Sequence, residues 1–372
     1  MSAASTAPAD GDLPDSVLVV GASAAGLGVA EALRRKGYQG ELTVLGAEPH
    51  LPYDRPPLSK QLLAGTWEPD RVMLRQQHVL DALKAQFILG DPAVSLDTDT
   101  RLVRTACGRA LRADAVVIAT GLRPRMLPGG DGLAGVYVLR TLHDALGLRA
   151  ALNEGLKNGA RLVVVGDGVL GAEIAATARG MGLDVTLAGP QPRPLAMQFG
   201  PLVSGLLASL HADNGVTLKL GIGVDRITGE HGKVTGVRLD GGEVLPADLV
   251  VVAVGAAPET DWLKGSGLTI DNGVVCDSSC RAANGIYAAG DVARWHHEAL
   301  GTTLRLENRT NASDQAGAVA DGDPEPNEQG KRRFVARFRR DGRVTGVLGW
   351  NMPKQTIQRR REILDDLASA GG

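Results

Sequence analysis

At 372 residues, 44% of them hydrophobic, the chain can bury two sizeable cores and is too long for one ordinary domain. A formal net charge of −2 excludes a general affinity for nucleic acid or an anionic membrane, and 49 glycines against 3% aromatics favour an α/β protein with many tight turns. Three cysteines, Cys107, Cys276 and Cys280, are an odd, low number that fits a reducing compartment. No stretch has the length of a transmembrane helix. Residues 1–14, mostly Ala, Ser, Pro and Asp, read as a disordered tail without an apolar signal core, so the expected location is cytoplasmic.

The first organised stretch is an apolar run, Ser16-Val17-Leu18-Val19-Val20, followed by the small-residue turn Gly21-Ala22-Ser23-Ala24-Ala25-Gly26. A helical pattern then runs from Leu27 to Lys36 and closes at Gly37. This is strand, phosphate loop, helix. The turn is small so that backbone N–H groups at a helix N-terminus can approach a pyrophosphate. Ser23 fills the place of the middle glycine. The next strand is Glu41 to Leu45, and Glu48 follows the turn by about twenty residues, where a carboxylate accepts hydrogen bonds from a ribose diol. A solvated loop acid is the alternative. Residues 97–113 read as a strand pair, and Ala113 to Gly121 as a buried strand closing in Ala119-Thr120-Gly121, with Pro124 beyond.

The second half repeats this grammar. Arg161 to Val165 is the strand, Gly166-Asp167-Gly168-Val169-Leu170-Gly171 the loop with all three glycines, and about Gly171 to Met181 the helix. Glu173 is expected in its first turn, where the dipole favours an anion. Ala247 to Gly255, with Pro258 beyond, matches the earlier closing strand. The repeat predicts two copies of one α/β layer in series. Two loops suggest two dinucleotides, and the obvious pair is a flavin and a nicotinamide.

Inside the first copy, between its second strand and its closing strand, stands Pro52-Tyr53-Asp54-Arg55-Pro56-Pro57-Leu58-Ser59-Lys60, stiffened by three prolines. With this string the chain resembles, over roughly residues 16–318, the FAD-dependent NAD(P)H reductases that serve ferredoxins and rubredoxins, the putidaredoxin-reductase-like proteins. The resemblance implies two Rossmann-like domains in a glutathione-reductase-like FAD/NAD(P) fold, with a truncated α+β C-terminal domain. Residues 15–122 and 258–322 would bind FAD, 123–257 would bind NAD(P), and 323–372 would be the remnant interface domain. FAD contacts are then expected from Gly21, Ser23, Ala24, Ala25, Gly26, Glu48, Arg55, Lys60, Ala119, Thr120, Gly121, Gly290 and Asp291, and NAD(P) contacts from Gly166, Gly168, Val169, Leu170, Gly171, Glu173 and Gly255. In the family the lysine matching Lys60 lies close to the flavin ring and pairs with the glutamate matching Glu173, where flavin and nicotinamide meet. Ala289-Gly290-Asp291 resembles the second FAD fingerprint, whose aspartate bonds the ribitol chain.

The chain departs from the family pattern at four places. Gly189 stands where NAD-preferring relatives carry a glutamate, so the 2′-hydroxyl loses an acceptor and a 2′-phosphate loses its repulsion. NADH leads and NADPH stays admissible, with Arg193 a cation that occurs in NAD users too. Asn308 and Arg309 replace a His-Trp pair beside the flavin, which puts a cation near the ring edge and favours an anionic reduced flavin. An aromatic segment that covers the flavin is absent, and an acidic, turn-rich linker begins at Asp321 instead. The remnant domain is basic: Phe334, Ala336 and Phe338 alternate with Arg333, Arg337 and Arg339, and a helix from Pro353 to Leu367 carries Arg359, Arg360 and Arg361. It reads as a solvated face or as a docking face for an acidic ferredoxin-type partner.

Residues 40–65 hold no cysteine, which excludes a dithiol relay there, and Cys276 and Cys280 read as ordinary thiols. No cluster has metal-ligand spacing. The chemistry left is hydride transfer from NAD(P)H to flavin, with Lys60 and Glu173 as the catalytic pair and single electrons passed to an iron–sulfur protein that serves a monooxygenase such as a cytochrome P450. Two alternatives stay open: a flavin NADH oxidase or diaphorase, and a degenerate, non-catalytic nucleotide-binding paralogue.

Overall fold

A computed structural model describes residues 14–297, 301–307 and 315, and the backbone of the strands Phe334–Arg340 and Arg343–Trp350. The expected tail up to residue 13, Asn308, Arg309, the acidic linker and the helix from Pro353 lie outside the described residues.

Each glycine loop leaves the central strand of a sheet. The first sheet has the spatial order Arg281–Ala283, Ile286–Ala288, Ala115–Ile118, Ser16–Val20, Glu41–Gly46, Gln86–Leu89. The second has the order Thr217–Leu220, Asp184–Gly189, Arg161–Val165, Leu249–Val252, Val136–Tyr137. Val19 lies opposite Val44 on one side and Val117 on the other; Val164 lies opposite Leu187 and Val251 in the same way. Central parallel strands are covered on both faces, so they run apolar without alternation. Val17 to Val20 and Leu162 to Val165 are all buried. The repeat read in the sequence is thus a repeat of topology.

One element matches expectation with an addition and one differs. Residues 97–113 hold the expected pair, Leu102–Thr105 against Ala110–Arg112, and Ala93–Asp97 adds a third antiparallel strand to this sheet; the Asp97 carboxylate accepts from the Thr100 N–H in the turn between Ala93–Asp97 and Leu102–Thr105. Its counterpart in the second half is also three-stranded, Val224–Glu230, Lys233–Leu239 and Val244–Pro246. The second helix spans Val169–Met181, starting two residues early, so Glu173 is its fifth residue and no acid lies in the first turn. Beyond that turn the helix dipole does little for a carboxylate.

The two Gly-x-x-Pro closures meet. Leu122–Pro124 pairs antiparallel with Ala256–Pro258; the Glu259 N–H donates to the Gly121 carbonyl at 2.9 Å, and the Arg125 N–H to the Gly255 carbonyl at 3.0 Å. The proline-rich segment seals the seam from another side. Tyr53, Leu58, Leu62 and Leu63 share one core cluster with Leu142, Leu148 and Leu152 of the helix Leu142–Lys157 and with Val164, Ile174 and Leu187 of the second layer. A segment inserted between two strands of the first sheet is therefore packed against the second layer.

Asp91, only 1% exposed, anchors the three-stranded sheet. Its carboxylate accepts from the Thr105 hydroxyl at 2.8 Å, the Cys107 N–H at 2.9 Å and Arg109 Nη1 at 2.5 Å. Burial alone would raise its carboxyl, but these donors outweigh it and hold it at about 2 against an ordinary 3.8. A depressed carboxylate stabilises the fold above its ordinary value and loses that contribution as pH falls through the folded value. Asp91→Asn should therefore lower the thermal midpoint at neutral pH, and the gap to the wild type should close as pH falls from ~5 towards ~2, as read by differential scanning calorimetry.

Candidate functional site

The first loop is built by close approach of backbone to backbone. Gly21 sits at φ +126°, and a Cβ there would lie 2.1 Å from the Ala119 carbonyl oxygen; a Cβ on Gly26 would lie 1.8 Å from the Gly21 carbonyl oxygen. No side chain fits either gap. Ser23 precedes the helix Ala24–Arg35, and its hydroxyl does not cap it. Ala25 and Gly26 turn inward and are buried. In front of the loop lies a cavity of about 270 Å³, whose walls include Gly21, Ser23, Glu48, Tyr53, Arg55, Ala119 and Thr120.

Glu48 is held in that wall. Arg55 Nη2 donates to it at 2.9 Å and the Tyr53 hydroxyl at 2.5 Å, while Arg55 also donates to the Arg140 carbonyl. The Leu142 N–H donates to the Tyr53 oxygen at 2.9 Å, and burial pushes the Tyr53 phenol up. Asp291, in the short turn Gly290–Val292, lies 3.5 Å from Arg140 Nη2; burial raises its carboxyl and Arg140 opposes the rise. The Gly290 N–H donates to Gln315 Oε1 at 2.8 Å. Tyr53, Arg140 and Gln315 are members of this site that sequence reasoning missed. Tyr53 stood inside the proline-rich string; the other two carry no local signal.

The polar atoms here fit FAD. Arg55 Nε, Arg140 Nε, Arg305 Nε and Gln315 Nε2 are buried and without a hydrogen-bond partner. All four are donors. The pyrophosphate, ribityl hydroxyls and ring carbonyls of FAD are acceptors, so the donor set is of the right kind.

The second loop repeats the first. Gly166 sits at φ +120°, and a Cβ there would lie 2.2 Å from the Ala253 carbonyl oxygen; a Cβ on Gly171 would lie 1.7 Å from the Gly166 carbonyl oxygen. Gly168 and Gly255 face open space. Val169 is half exposed, while Leu170 packs on the core of the second layer.

The expected pair spans the two layers. Lys60 Nζ lies 2.7 Å from Glu173 Oε2, and the Ser59 hydroxyl donates to the same oxygen at 2.6 Å. The Thr177 hydroxyl donates to the Ser59 carbonyl at 2.7 Å, so one helix face grips residues 59 and 60. Lys60 and Glu173 are 37% and 33% exposed. An ion pair so open to water contributes little to stability. What it fixes is position.

A family model described as pyridine nucleotide-disulphide oxidoreductase matches residues 15–316. The chain belongs to the pyridine nucleotide-disulphide oxidoreductase family. It is similar to the rhodocoxin reductase of Rhodococcus erythropolis, 36% identical over 307 residues, which cover 82% of this chain and 71% of that one. It is 38% identical over 311 residues to the ferredoxin–NAD(+) reductase subunit of the benzene 1,2-dioxygenase system of Pseudomonas putida, covering 83% of this chain and 74% of the other. Among solved structures, the reductase of a covalent putidaredoxin reductase–putidaredoxin complex superposes with a TM-score of 0.85 at 31% identity, covering 94% of this chain and 93% of that one.

The disulphide in the family name has no counterpart at this site. Cys107 is an exposed free thiol, and Cys276 and Cys280 are buried free thiols. Burial pushes both buried thiols up to about 12, far from thiolate at neutral pH. Among the described residues no group of three His, Cys, Asp or Glu could hold a metal ion, and no helix is long and apolar enough to cross a membrane.

The clash at Gly26 is with backbone, which cannot swing aside. Gly26→Ala should therefore displace the first loop, leaving a folded but less stable chain that carries less flavin per polypeptide than the wild type. Visible absorbance against protein concentration measures this.

Proposed function

We propose that the chain is a FAD-dependent NADH reductase that delivers electrons to an acidic ferredoxin-type iron–sulfur protein, which in turn serves a monooxygenase such as a cytochrome P450. The observation that carries this reading is the pair of glycine cradles, in two layers, joined through Lys60 and Glu173. The names of the relatives support it: one is a reductase of rhodocoxin, another a ferredoxin–NAD(+) reductase, and the solved neighbour holds a reductase linked to putidaredoxin.

In this reading residues 15–122 and 258–322 form the FAD domain, in keeping with a first sheet that draws strands from both stretches. Residues 123–257 form the NAD(P) domain. Backbone N–H groups of Ser23, Ala24 and Ala25 face one pyrophosphate, and those of Gly168, Val169 and Leu170 face the other. Glu48 accepts from a ribose diol, and Arg55, Ala119, Thr120 and Gly121 line the same dinucleotide. Asp291 accepts from the ribityl chain. Bound FAD supplies the acceptance of a hydride from the nicotinamide and the release of electrons one at a time. The chain's own part is positional: Lys60 would donate to the bound flavin, Glu173 would hold the lysine in place through their ion pair, and the seam between layers would orient the two cofactors. Residues 323–372 form the remnant interface domain; its backbone hairpin, Phe334–Arg340 against Arg343–Trp350, carries the arginines at 337, 339, 340 and 343 for an acidic partner. We place the enzyme in the cytoplasm, where three free thiols are stable.

The test is NADH-driven reduction of an acidic [2Fe–2S] ferredoxin. The expected rate falls steeply with added salt, because encounter is steered by charge. Lys60→Met should retain FAD and slow the reduction of flavin by NADH roughly 10- to 100-fold, the cost of a misplaced group, as read by anaerobic stopped-flow absorbance. NADH consumption that goes to oxygen at a rate indifferent to ferredoxin would contradict this reading and favour an oxidase or diaphorase.

A further inference from the structure

The acid that the second half lacks at its strand end is replaced from inside the glycine loop. The strand Asp184–Gly189 runs parallel to Arg161–Val165 with Ala188 opposite Val165, just as Leu45 lies opposite Val20 in the first half. This register makes Gly189 the equivalent of Gly46, Asp167 the equivalent of Ala22, and Gln191 the equivalent of Glu48. In the first half the acid is at 48 and the loop residue is an alanine. In the second half the loop residue is the acid, and a glutamine, Gln191, stands at the place of Glu48.

The difference is enforced by space. A Cβ on Gly189 would lie 2.4, 2.5 and 2.8 Å from Oδ2, Cγ and Cβ of Asp167. All three nearest atoms belong to that one side chain, so a glutamate at 189 and an aspartate at 167 exclude each other. Asp167 is 4% exposed. Its Oδ2 accepts from the Gln191 backbone N–H at 2.7 Å and its Oδ1 from Gln191 Nε2 at 2.7 Å, while Gln191 Oε1 accepts from the Met197 N–H at 2.8 Å. The Asp167 carbonyl accepts from the Leu195 N–H at 2.9 Å. The carboxylate is thus fixed where the glycine loop meets the strand end. Glu48 has Arg55 as its counter-ion. Among the described residues no cation lies within ion-pair distance of Asp167. Arg193, the cation nearby in sequence, runs past Gly205 on the helix Ala196–Asp213.

We propose that Asp167 selects NADH over NADPH: its carboxylate accepts from the 2′-hydroxyl of the adenosine ribose and, lacking a counter-ion, repels a 2′-phosphate. The proposal rests on the reading of the second loop as the nicotinamide-dinucleotide site. It replaces the expectation from Gly189 alone, under which acceptor and repulsion were both lost. The acid stands in the loop instead of at the strand end.

Two fragments probe the site without any redox step, ADP-ribose and 2′-phospho-ADP-ribose, each titrated into the FAD-loaded protein by calorimetry. The wild type should prefer ADP-ribose, and Asp167→Gly should reduce that preference roughly 10-fold or more, the size of a lost charged hydrogen bond with its repulsion. Asp167→Asn, which keeps the shape and drops the charge, should do the same, and thermal midpoints identify any variant that fails to fold. Gly189→Glu alone should destabilise the chain. Combined with Asp167→Gly, which clears all three blocking atoms, it should fold and regain the preference. The ratio of kcat/KM for NADH and NADPH should follow the same order. A wild type that binds both fragments alike, or an Asp167→Asn variant that keeps the wild-type preference, overturns the proposal alone. A wild type that binds neither fragment overturns the reading of the second loop and the proposal with it.

Discussion

The structure depends on one contact made twice: a glycine carried so close to the neighbouring parallel strand that no Cβ can stand between them. Gly21 meets the Ala119 carbonyl in this way and Gly166 meets the Ala253 carbonyl. Each contact decides where the following helix begins, and so where its unpaired N–H groups point. The closing strands that press on the loops, Ala115–Ile118 and Leu249–Val252, lead into the turns at Gly121 and Gly255, and those turns pair with each other. One backbone constraint thus sets both cradles and leads into the paired strands that join them.

Cohesion and chemistry are carried by different residues. Apolar burial by Leu58, Leu62 and Leu63 against Leu142, Leu148 and Leu152 locks the proline-rich segment onto the second layer. Full burial of one such side chain is worth about 1.5–3 kcal/mol. The Lys60–Glu173 pair, a third exposed, adds little of that kind. Its place is set by the neighbouring leucine cluster and by the Ser59 and Thr177 hydrogen bonds rather than by its own charge attraction. The same division explains the thiols: Cys276 and Cys280 are buried packing groups with raised thiol values, and redox chemistry falls to cofactors instead.

Much of the fold was legible because parallel strands buried on both faces leave uninterrupted runs such as Val17 to Val20 and Val163 to Val165, each ending at a glycine. The internal repeat then made the pairing of layers readable. The Lys60–Glu173 pair followed from family resemblance, since 113 residues separate the two and no local pattern links them. Other features were hidden for physical reasons. Arg140 acts through a carbonyl and a long side chain, neither of which has a motif. Helix starts were misjudged by two or three residues because Ala24 and Val169 suit a loop as well as a first turn. The place of Asp167 became visible only in three dimensions, because the vacancy at Gly189 and the carboxylate that fills it are 22 residues apart in the chain.

The central claim is that two dinucleotides sit in series across one seam. The measurement that tests it most directly is an anaerobic titration of the purified protein with NADH, followed in the visible range. The account predicts a bound flavin spectrum that bleaches in proportion to NADH added, with one equivalent per flavin sufficing. A chain that folds yet stays colourless after incubation with FAD, or one whose flavin is unmoved by excess NADH and NADPH, would contradict it.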